Sequence, residues 1–233
     1  MKVKKIIGQK PRIVAVVWGD RLLELAFSAK DNGAQVLEVR IDLFHKVDLN
    51  NLEGRLKQLR RQVKLPIIAT VRRKDEGGGR RYSEQQRLHI LISIMPLVDV
   101  VDIEYRSRTI IQEVIREAKL RHKSLLISYH NLRETPPGAA LKEIASRAKG
   151  MGADIVKIAA MANSKRDVAR LLSFSYGCPH KPLVAISMGR LGRISRVVAP
   201  IFGSCLNYAH VESESAPGQL DVLSLKEDLE KFY

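Results

Sequence analysis

Eight apolar runs rich in Val, Ile and Leu recur along this chain, each separated from the next by enough residues for one helix, and that rhythm admits few folds. They are Arg12–Val17, Gln35–Ile41, Pro66–Arg72, Val98–Tyr105, Ser124–His130, Asp154–Ala159, Pro182–Met188 and Cys205–Val211. Runs this short and this continuously apolar read as strands of a parallel sheet, covered on both faces. The stretches between them carry helical signatures. Leu49, Leu52, Leu56, Leu59 and Val63 fall on one helical face after the second run. Ser83 with Gln86 and Ser164 with Asp167 predict N-terminal capping boxes, and Ser224 with Glu227 predicts the cap of a last helix running towards Tyr233. Gly33 and Gly150 stand where helix C-termini should stop. Eight strand–helix alternations in 233 residues predict an α/β chain forming one (β/α)8 TIM barrel domain over residues 1–233. An open doubly wound sheet is the competing architecture.

The polar residues favour the barrel. Glu38 and Arg40 lie late in the second run, Arg72 ends the third, Glu104 falls late in the fourth, His130 ends the fifth and Lys157 falls late in the sixth. In a barrel these positions converge on the C-terminal mouth, where barrel active sites lie. Lys157 is the most unusual of them. Ile155, Lys157 and Ala159 share one face of their strand while Val156 and Ile158 share the other. An ammonium in such a run must be paired, reach water or lose its charge, because desolvation lowers a lysine pKa. A neutral lysine amine attacks ketones to form Schiff bases. Taken alone, such a lysine reads first as one partner of a structural ion pair at a strand end; the other ionisable groups at strand ends reverse that reading in favour of chemistry.

Composition narrows the function classes. The net charge of +15 raises the question of a nucleic-acid partner. Its charges are scattered, however: Arg55, Lys57, Arg60, Arg61 and Lys64 follow one helix, and Arg72, Arg73, Lys74, Arg80 and Arg81 surround a glycine loop. With 5% aromatic residues and none interleaved with these charges, stacking on single strands has no platform. Most of the charge reads as solvated helix faces, and a positive field also draws in a small anionic substrate. Cys178 and Cys205 have no metal-ligand spacing and fit packing in a reduced setting. Met1–Gly8 is too short and too soon interrupted for an export signal, and no run approaches a membrane span. A cytoplasmic protein is expected.

The remaining fragments suggest a small-molecule site. Glu38, Arg40 and Asp42 alternate, either as an internal ion-pair ladder or as a grip on substrate hydroxyls. The loop carrying Glu76, Gly77, Gly78 and Gly79 matches neither a Walker A sequence nor a dinucleotide fingerprint, and carries Glu76 towards the mouth. His130 should share the rim with Lys157, where an imidazole suits proton transfer. Arg196 offers a fork for a carboxylate, and Ser215–Gln219 forms the last polar loop. The other histidines (His45, His89, His122, His180 and His210) have no such context, and no metal-ligand set is present in the sequence.

In order along the chain, these segments resemble the type I 3-dehydroquinate dehydratases (3-dehydroquinases). The resemblance runs from about Pro11 to Gln219 and rests on EVRID at 38–42, TVR at 70–72, EGG at 76–78, VDIE at 101–104, SYHN at 128–131, DIVKIA at 154–159, SMG at 187–189, SR at 195–196, FGS at 202–204 and SAPGQ at 215–219. It implies a barrel that dehydrates 3-dehydroquinate to 3-dehydroshikimate by syn elimination through an imine, the third step of the shikimate pathway, without metal or organic cofactor. It carries the Schiff-base role to Lys157, general acid/base catalysis to His130 and the orienting of that histidine to Glu76. Substrate binding passes to Glu38, Arg40, Arg72, Arg196, Ser215 and Gln219, with Asp42, Asp102 and Glu104 in support. The implied partner is the small-molecule substrate, not nucleic acid or membrane; a homodimer is compatible with the resemblance and not specified by it. Val16 stands where many members have a substrate-contacting serine, and Asn207-Tyr208 where Thr-Phe is frequent, so Tyr208 is expected to bring a hydroxyl to the pocket. The segment before Pro11 predicts at most a minimal hairpin under the barrel. A class I aldolase using the same lysine and a basic RNA-binding protein are the alternatives.

Overall fold

A computed structural model describes residues 6–8 and 10–233; the leader and hairpin expectations for the N-terminus fall largely outside them. Strands and helices alternate from the start: β1 (Arg12–Val17), α1 (Leu22–Asp31), β2 (Val36–Arg40), α2 (Leu49–Gln62), β3 (Ile67–Thr70), α3 (Glu84–Ile94), β4 (Val100–Glu104), α4 (Ile111–Leu120), β5 (Ser124–Asn131), α5 (Gly138–Gly150), β6 (Ile155–Met161) and α6 (Lys165–Gly177). After β7 (Leu183–Met188) come two single turns, α7 (Gly189–Gly192) and α8 (Ser195–Val198), then β8 (Leu206–His210), a two-residue β9 (Leu220–Asp221) and α9 (Val222–Glu230).

Every strand pairing is parallel, in the order β7-β6-β5-β4-β3-β2-β1-β8-β9. The cylinder closes between β7 and β8 through one bridge, Leu183 to Ser204. There the Cys205 N–H donates to the Leu183 carbonyl at 2.9 Å, and the Ser204 hydroxyl accepts from the Ala185 N–H at 3.1 Å. A serine side chain thus stands in for ladder bonds that the strands themselves do not make.

Alternation along the strands sorts side chains between two cores. Val14, Val36, Ile68, Val100, Leu126, Ile155, Val184 and Leu206 pack inside the cylinder, joined by Ile6. Their neighbours Ala15, Leu37, Ala69, Val101, Leu125, Val156 and Leu183 face the helices. Leu52, Leu56, Leu59 and Val63 bury the predicted face of α2 in that outer layer. Fully burying such a side chain contributes about 1.5–3 kcal/mol. Lys57, Arg60 and Arg61 point outwards on the same helix, and Lys64, expected to continue it, is exposed just past its end at φ +62°.

Both predicted capping boxes form, at Ser83 and at Ser164. The last helix differs. It begins at Val222 with Asp221 as its cap, accepting from the Ser224 N–H at 2.9 Å, so Ser224 lies inside the first turn. A carboxylate directly before the helix satisfies the orphan Ser224 N–H, three residues ahead of the Glu227 N–H that Ser224 was expected to serve. Likewise Gly150 is still helical, and the left-handed residue after α5 is Gly152, at φ +102°. Among the described residues no helix is long and apolar enough to cross a membrane.

Candidate active site

Above the apolar interior, the inward positions turn polar. Glu38 on β2, Thr70 on β3, Asp102 on β4, Ser128 on β5 and Lys157 on β6 are all buried. Lys157 sits level with Ser128 on the neighbouring strand. Its Nζ lies 3.2 Å from Glu38 Oε1 and 3.7 Å from Asp102 Oδ2, and 3.8 Å from the centroid of the Tyr208 ring. Thr70 donates to Glu38 at 2.9 Å. Arg72 reaches in from the end of β3. Its Nη2 is 2.7 Å from Asp102, and its Nη1 is 3.0 Å from Glu104 and 2.7 Å from Ser128 Oγ. Burial pulls the Lys157 amine below its ordinary pKa against the pull of Glu38 and Asp102, and the Arg72 cation adds to the lowering.

Glu104 continues this network outwards to Arg87, which is fully buried on α3 and pairs with Glu104. Arg87 also donates to the Val71 carbonyl at 2.8 Å and to Ser107 Oγ at 2.7 Å. Sequence reasoning missed it, although a signal existed. Arg87 falls in register with Ile90, Leu91 and Ile94 on the buried stripe of α3, where a lone cation is out of place.

His130 lies two residues beyond Ser128, one layer nearer the mouth than Lys157 rather than level with it. Glu76 Oε2 accepts from the His130 backbone N–H at 2.8 Å and lies 3.2 Å from Nδ1. With Nδ1 donating to Glu76, Nε2 is left to accept a proton. Burial, then the Arg72 and Lys157 cations, push His130 well below its ordinary pKa, so the imidazole is neutral, its base form. Burial, then Glu104, raise the Glu76 carboxyl to about 8. At neutral pH this contact is a hydrogen bond between uncharged partners.

The glycine loop is built for close approach. Gly77 is left-handed at φ +91°, and a Cβ on Gly78 would stand 2.3 Å from the Arg72 carbonyl oxygen. All three glycine N–H groups are occupied: Gly77 by the Lys74 carbonyl, Gly78 by the Arg73 carbonyl and Gly79 by Asp42 Oδ2. None is left to cradle a phosphate. Asp42 belongs to a 3-10 turn rather than to the strand, and meets Arg40 side-on, at 2.9 Å to Nε and 2.7 Å to Nη2.

Arg196 contrasts with Arg40 and Arg72. It is buried on α8, its Nη1 donates to the Tyr208 carbonyl at 3.3 Å, and its Nε and Nη2 have no partner. Burial, with Glu214 opposing, lowers its pKa to about 10, where it remains a cation at neutral pH. In the loop after β8, Gln219 Oε1 accepts from the Ser215 N–H at 2.7 Å, the Ser215 hydroxyl at 3.0 Å and the Ala216 N–H at 3.2 Å. That leaves the Gln219 amide donors and the Ser215 oxygen for a ligand. The loop is seated on α7: Gly189 N–H donates to the Pro217 carbonyl at 3.0 Å, and a Cβ on Gly218 would stand 2.5 Å from Gly189 O.

All nine site residues expected from the sequence line one cavity of about 330 Å³ at this mouth. These are Glu38, Arg40, Arg72, Glu76, His130, Lys157, Arg196, Ser215 and Gln219. Leu132, Met161 and Ile186, which sequence reasoning did not identify, give it an apolar wall together with Met188, the strand-end residue of the SMG motif. Val16 is buried in the interior core. Tyr208 lines the cavity with its ring, but its hydroxyl is enclosed and unpartnered rather than presented to the pocket as expected. Among the described residues no group of His, Cys, Asp and Glu side chains is arranged to hold a metal ion.

Residues 15–232 match the family model for type I 3-dehydroquinase. A 3-dehydroquinate dehydratase of Methanococcoides burtonii is 36% identical over 225 residues, covering 96% of this chain and 95% of the relative. The crystal structure of the 3-dehydroquinate dehydratase from Aquifex aeolicus superposes with a TM-score of 0.86 at 34% identity, over 95% of this chain and 99% of that one. That from Geobacillus kaustophilus gives 0.91 at 29% identity, over 96% and 91%. The chain belongs to the type I 3-dehydroquinase family.

Proposed function

We propose that this protein is a 3-dehydroquinate dehydratase that eliminates water from 3-dehydroquinate through an imine on Lys157, giving 3-dehydroshikimate in the third step of the shikimate pathway. The observation that carries the reading is the Lys157 amine, buried in the lining of the mouth cavity with its pKa depressed, one layer below a neutral imidazole. Its lone pair attacks the ketone carbon. The carbonyl oxygen departs as water with two of the three protons of the lysine ammonium, and the third stays on nitrogen in a protonated imine, an electron sink beside the carbon to be deprotonated. His130 takes the proton from that α carbon. As the electrons return from nitrogen, it delivers the proton to the hydroxyl leaving the β carbon on the same face. Water then hydrolyses the conjugated imine, freeing the enone product and the amine.

The other lining residues hold the substrate in this reading. Arg196 meets the carboxylate with its two open donors. Glu38 and Arg40 face the ring hydroxyls, and Ser215 and Gln219 cover the substrate from the last loop, excluding water from the imine. Arg72 has its Nη donors on Asp102, Glu104 and Ser128, and enters as the counter-charge that, against burial, holds Asp102 below its ordinary pKa beside the lysine. The chemistry needs no metal or organic cofactor, and a cytoplasmic setting with a small-molecule partner belongs to the same reading.

The test is borohydride added while 3-dehydroquinate turns over, with enone absorbance followed in parallel. A reduced substrate adduct is expected on the peptide containing Lys157. Active enzyme with no adduct there, or with the label on another lysine, would falsify the assignment. His130→Ala is expected to retain adduct formation and lose at least about 10²-fold in turnover; near-normal turnover removes His130 from proton transfer.

A further inference from the structure

We propose that the face of the Tyr208 ring is a catalytic element that holds the positive charge at Lys157 Nζ and carries it into the imine. This rests on the reading that Lys157 forms that imine. The ring centroid lies 3.8 Å from Nζ, well inside the roughly 6 Å range of a cation–π contact, and both groups are buried.

Proton counting separates the ring from the carboxylates. The free ammonium has three N–H donors and can serve both Glu38 and Asp102. Imine formation forms one C=N bond and breaks the carbonyl C=O bond. The ammonium and ketone become a protonated imine and water, with two of the three nitrogen protons leaving on the oxygen. The iminium keeps a single N–H, so it can bond only one carboxylate directly. Attraction to the ring quadrupole needs no N–H and survives the change. Tyr208 is the partner of Nζ whose contact is the same in kind before and after the covalent step.

The phenol stays neutral, since burial and then Glu38 and Asp102 raise its pKa well above the ordinary value; the ring acts as an aromatic face and not as a phenolate. Its hydroxyl has no partner, so the face and not the hydroxyl is what this position offers. The groups that set the charge on Nζ come from several strands: Glu38 on β2, Arg72 at the end of β3, Asp102 on β4 and His130 on β5. The β7 positions nearest this layer, Val184 and Ile186, are apolar.

The experiment places phenylalanine and its mono-, di- and trifluorinated analogues at position 208, alongside Tyr208→Leu. Fluorine drains the ring face with little change of shape, so folding and packing are kept. The readouts are the fraction of Lys157 trapped by borohydride with 3-dehydroquinate and the pH dependence of trapping. On the alkaline side of the limb, where the free amine is neutral and only the imine carries the charge, trapping is expected to fall stepwise with each fluorine, by about 10- to 30-fold across the series, the scale of a desolvated cation–π contact. Tyr208→Leu should fall as far, and Tyr208→Phe should retain most of the wild-type level. Because the ring favours the charged amine, draining it should move the acid limb of trapping to lower pH. Trapping and limb unmoved by fluorination overturn the proposal and leave the ring as packing. A loss in Tyr208→Phe as large as in Tyr208→Leu overturns it in favour of the hydroxyl. No adduct on Lys157 even in the wild type removes the imine reading first, and this proposal with it.

Discussion

Replacing Glu76 by glutamine should make the protein progressively more stable than the wild type as pH rises. Glu76 is 2% exposed, Oε2 receives two contacts from His130, and Oε1 is buried with no partner. Burial, then Glu104, lift its pKa to about 8 from an ordinary 4.5. The sign follows from linkage. Between these two values the folded chain holds a proton that the unfolded chain has released, so this contribution to stability is complete below pH ~4.5 and lost as pH rises through ~8. Each unit of difference corresponds to about 1.4 kcal/mol, which gives a ceiling of about 5 kcal/mol. Water penetration and relaxation leave roughly 2 kcal/mol as a working figure. Glutamine keeps an accepting oxygen for His130 and has no proton to lose. Urea denaturation of both proteins at pH 5, 6, 7 and 8 measures the difference, and the opposite linkage of His130, present in both, cancels. The stability gap should widen in favour of Glu76→Gln across this range and flatten above pH 8. A gap that stays constant, or narrows as pH rises, would mean that Glu76 is a stabilised carboxylate and that burial does not govern it.

Arg196→Lys keeps the charge but loses the fork, and should raise KM for 3-dehydroquinate about 10- to 100-fold with a smaller change in kcat; steady-state kinetics with a wild-type KM would leave Arg196 structural. Arg87→Met strands Glu104 without its outer cation and should lower stability by about 3–5 kcal/mol in urea, whereas a loss under 1 kcal/mol would mean that Arg72 alone suffices for Glu104. Ser164→Ala removes the box that starts α6 and should cost about 1 kcal/mol by thermal melt, with no change in KM. A metal chelator should leave turnover intact, and inhibition reversed by one added metal would contradict the proposed chemistry.

The barrel was legible because each strand is buried on two faces. That makes residues 13–17 or 183–186 apolar throughout and leaves a polar residue inside a run conspicuous. Lys157 and Glu38 stood out for that reason, and their meeting across the cylinder at 3.2 Å needed only closure of the sheet. Arg87 escaped because its helix was judged by its cap, while the misplaced charge on its buried face went unweighed. The start of α9 was misread because Asp221 and Ser224 are both competent caps, and pairing of Leu220–Asp221 with β8 decides between them. Tyr208 was assigned by its hydroxyl, the polar handle visible in a sequence. Which part of a side chain meets a neighbour depends on the tilt of β8 against β6, and no local pattern encodes that.

Ser204 closes the cylinder between two strands adjacent in the chain, while β1 and β8, nearly the whole chain apart, share a full ladder from Arg12–Leu206 to Val16–His210. The hydrogen-bonded ribbon therefore begins, in effect, at β8 and runs through β1 to β7. Lys10 and Tyr233 line one surface crevice, so the segment leading into β1 and the residue that follows α9 already lie side by side. A circular permutant opened at exposed Ile201, with a linker from Tyr233 to Met1 that keeps the buried Ile6, would be synthesised with its barrel strands in the order in which the sheet is woven. The latest pairing in such a chain would be the single seam contact rather than a whole ladder. Synthesis and weaving order would then coincide, which in the natural sequence they do not.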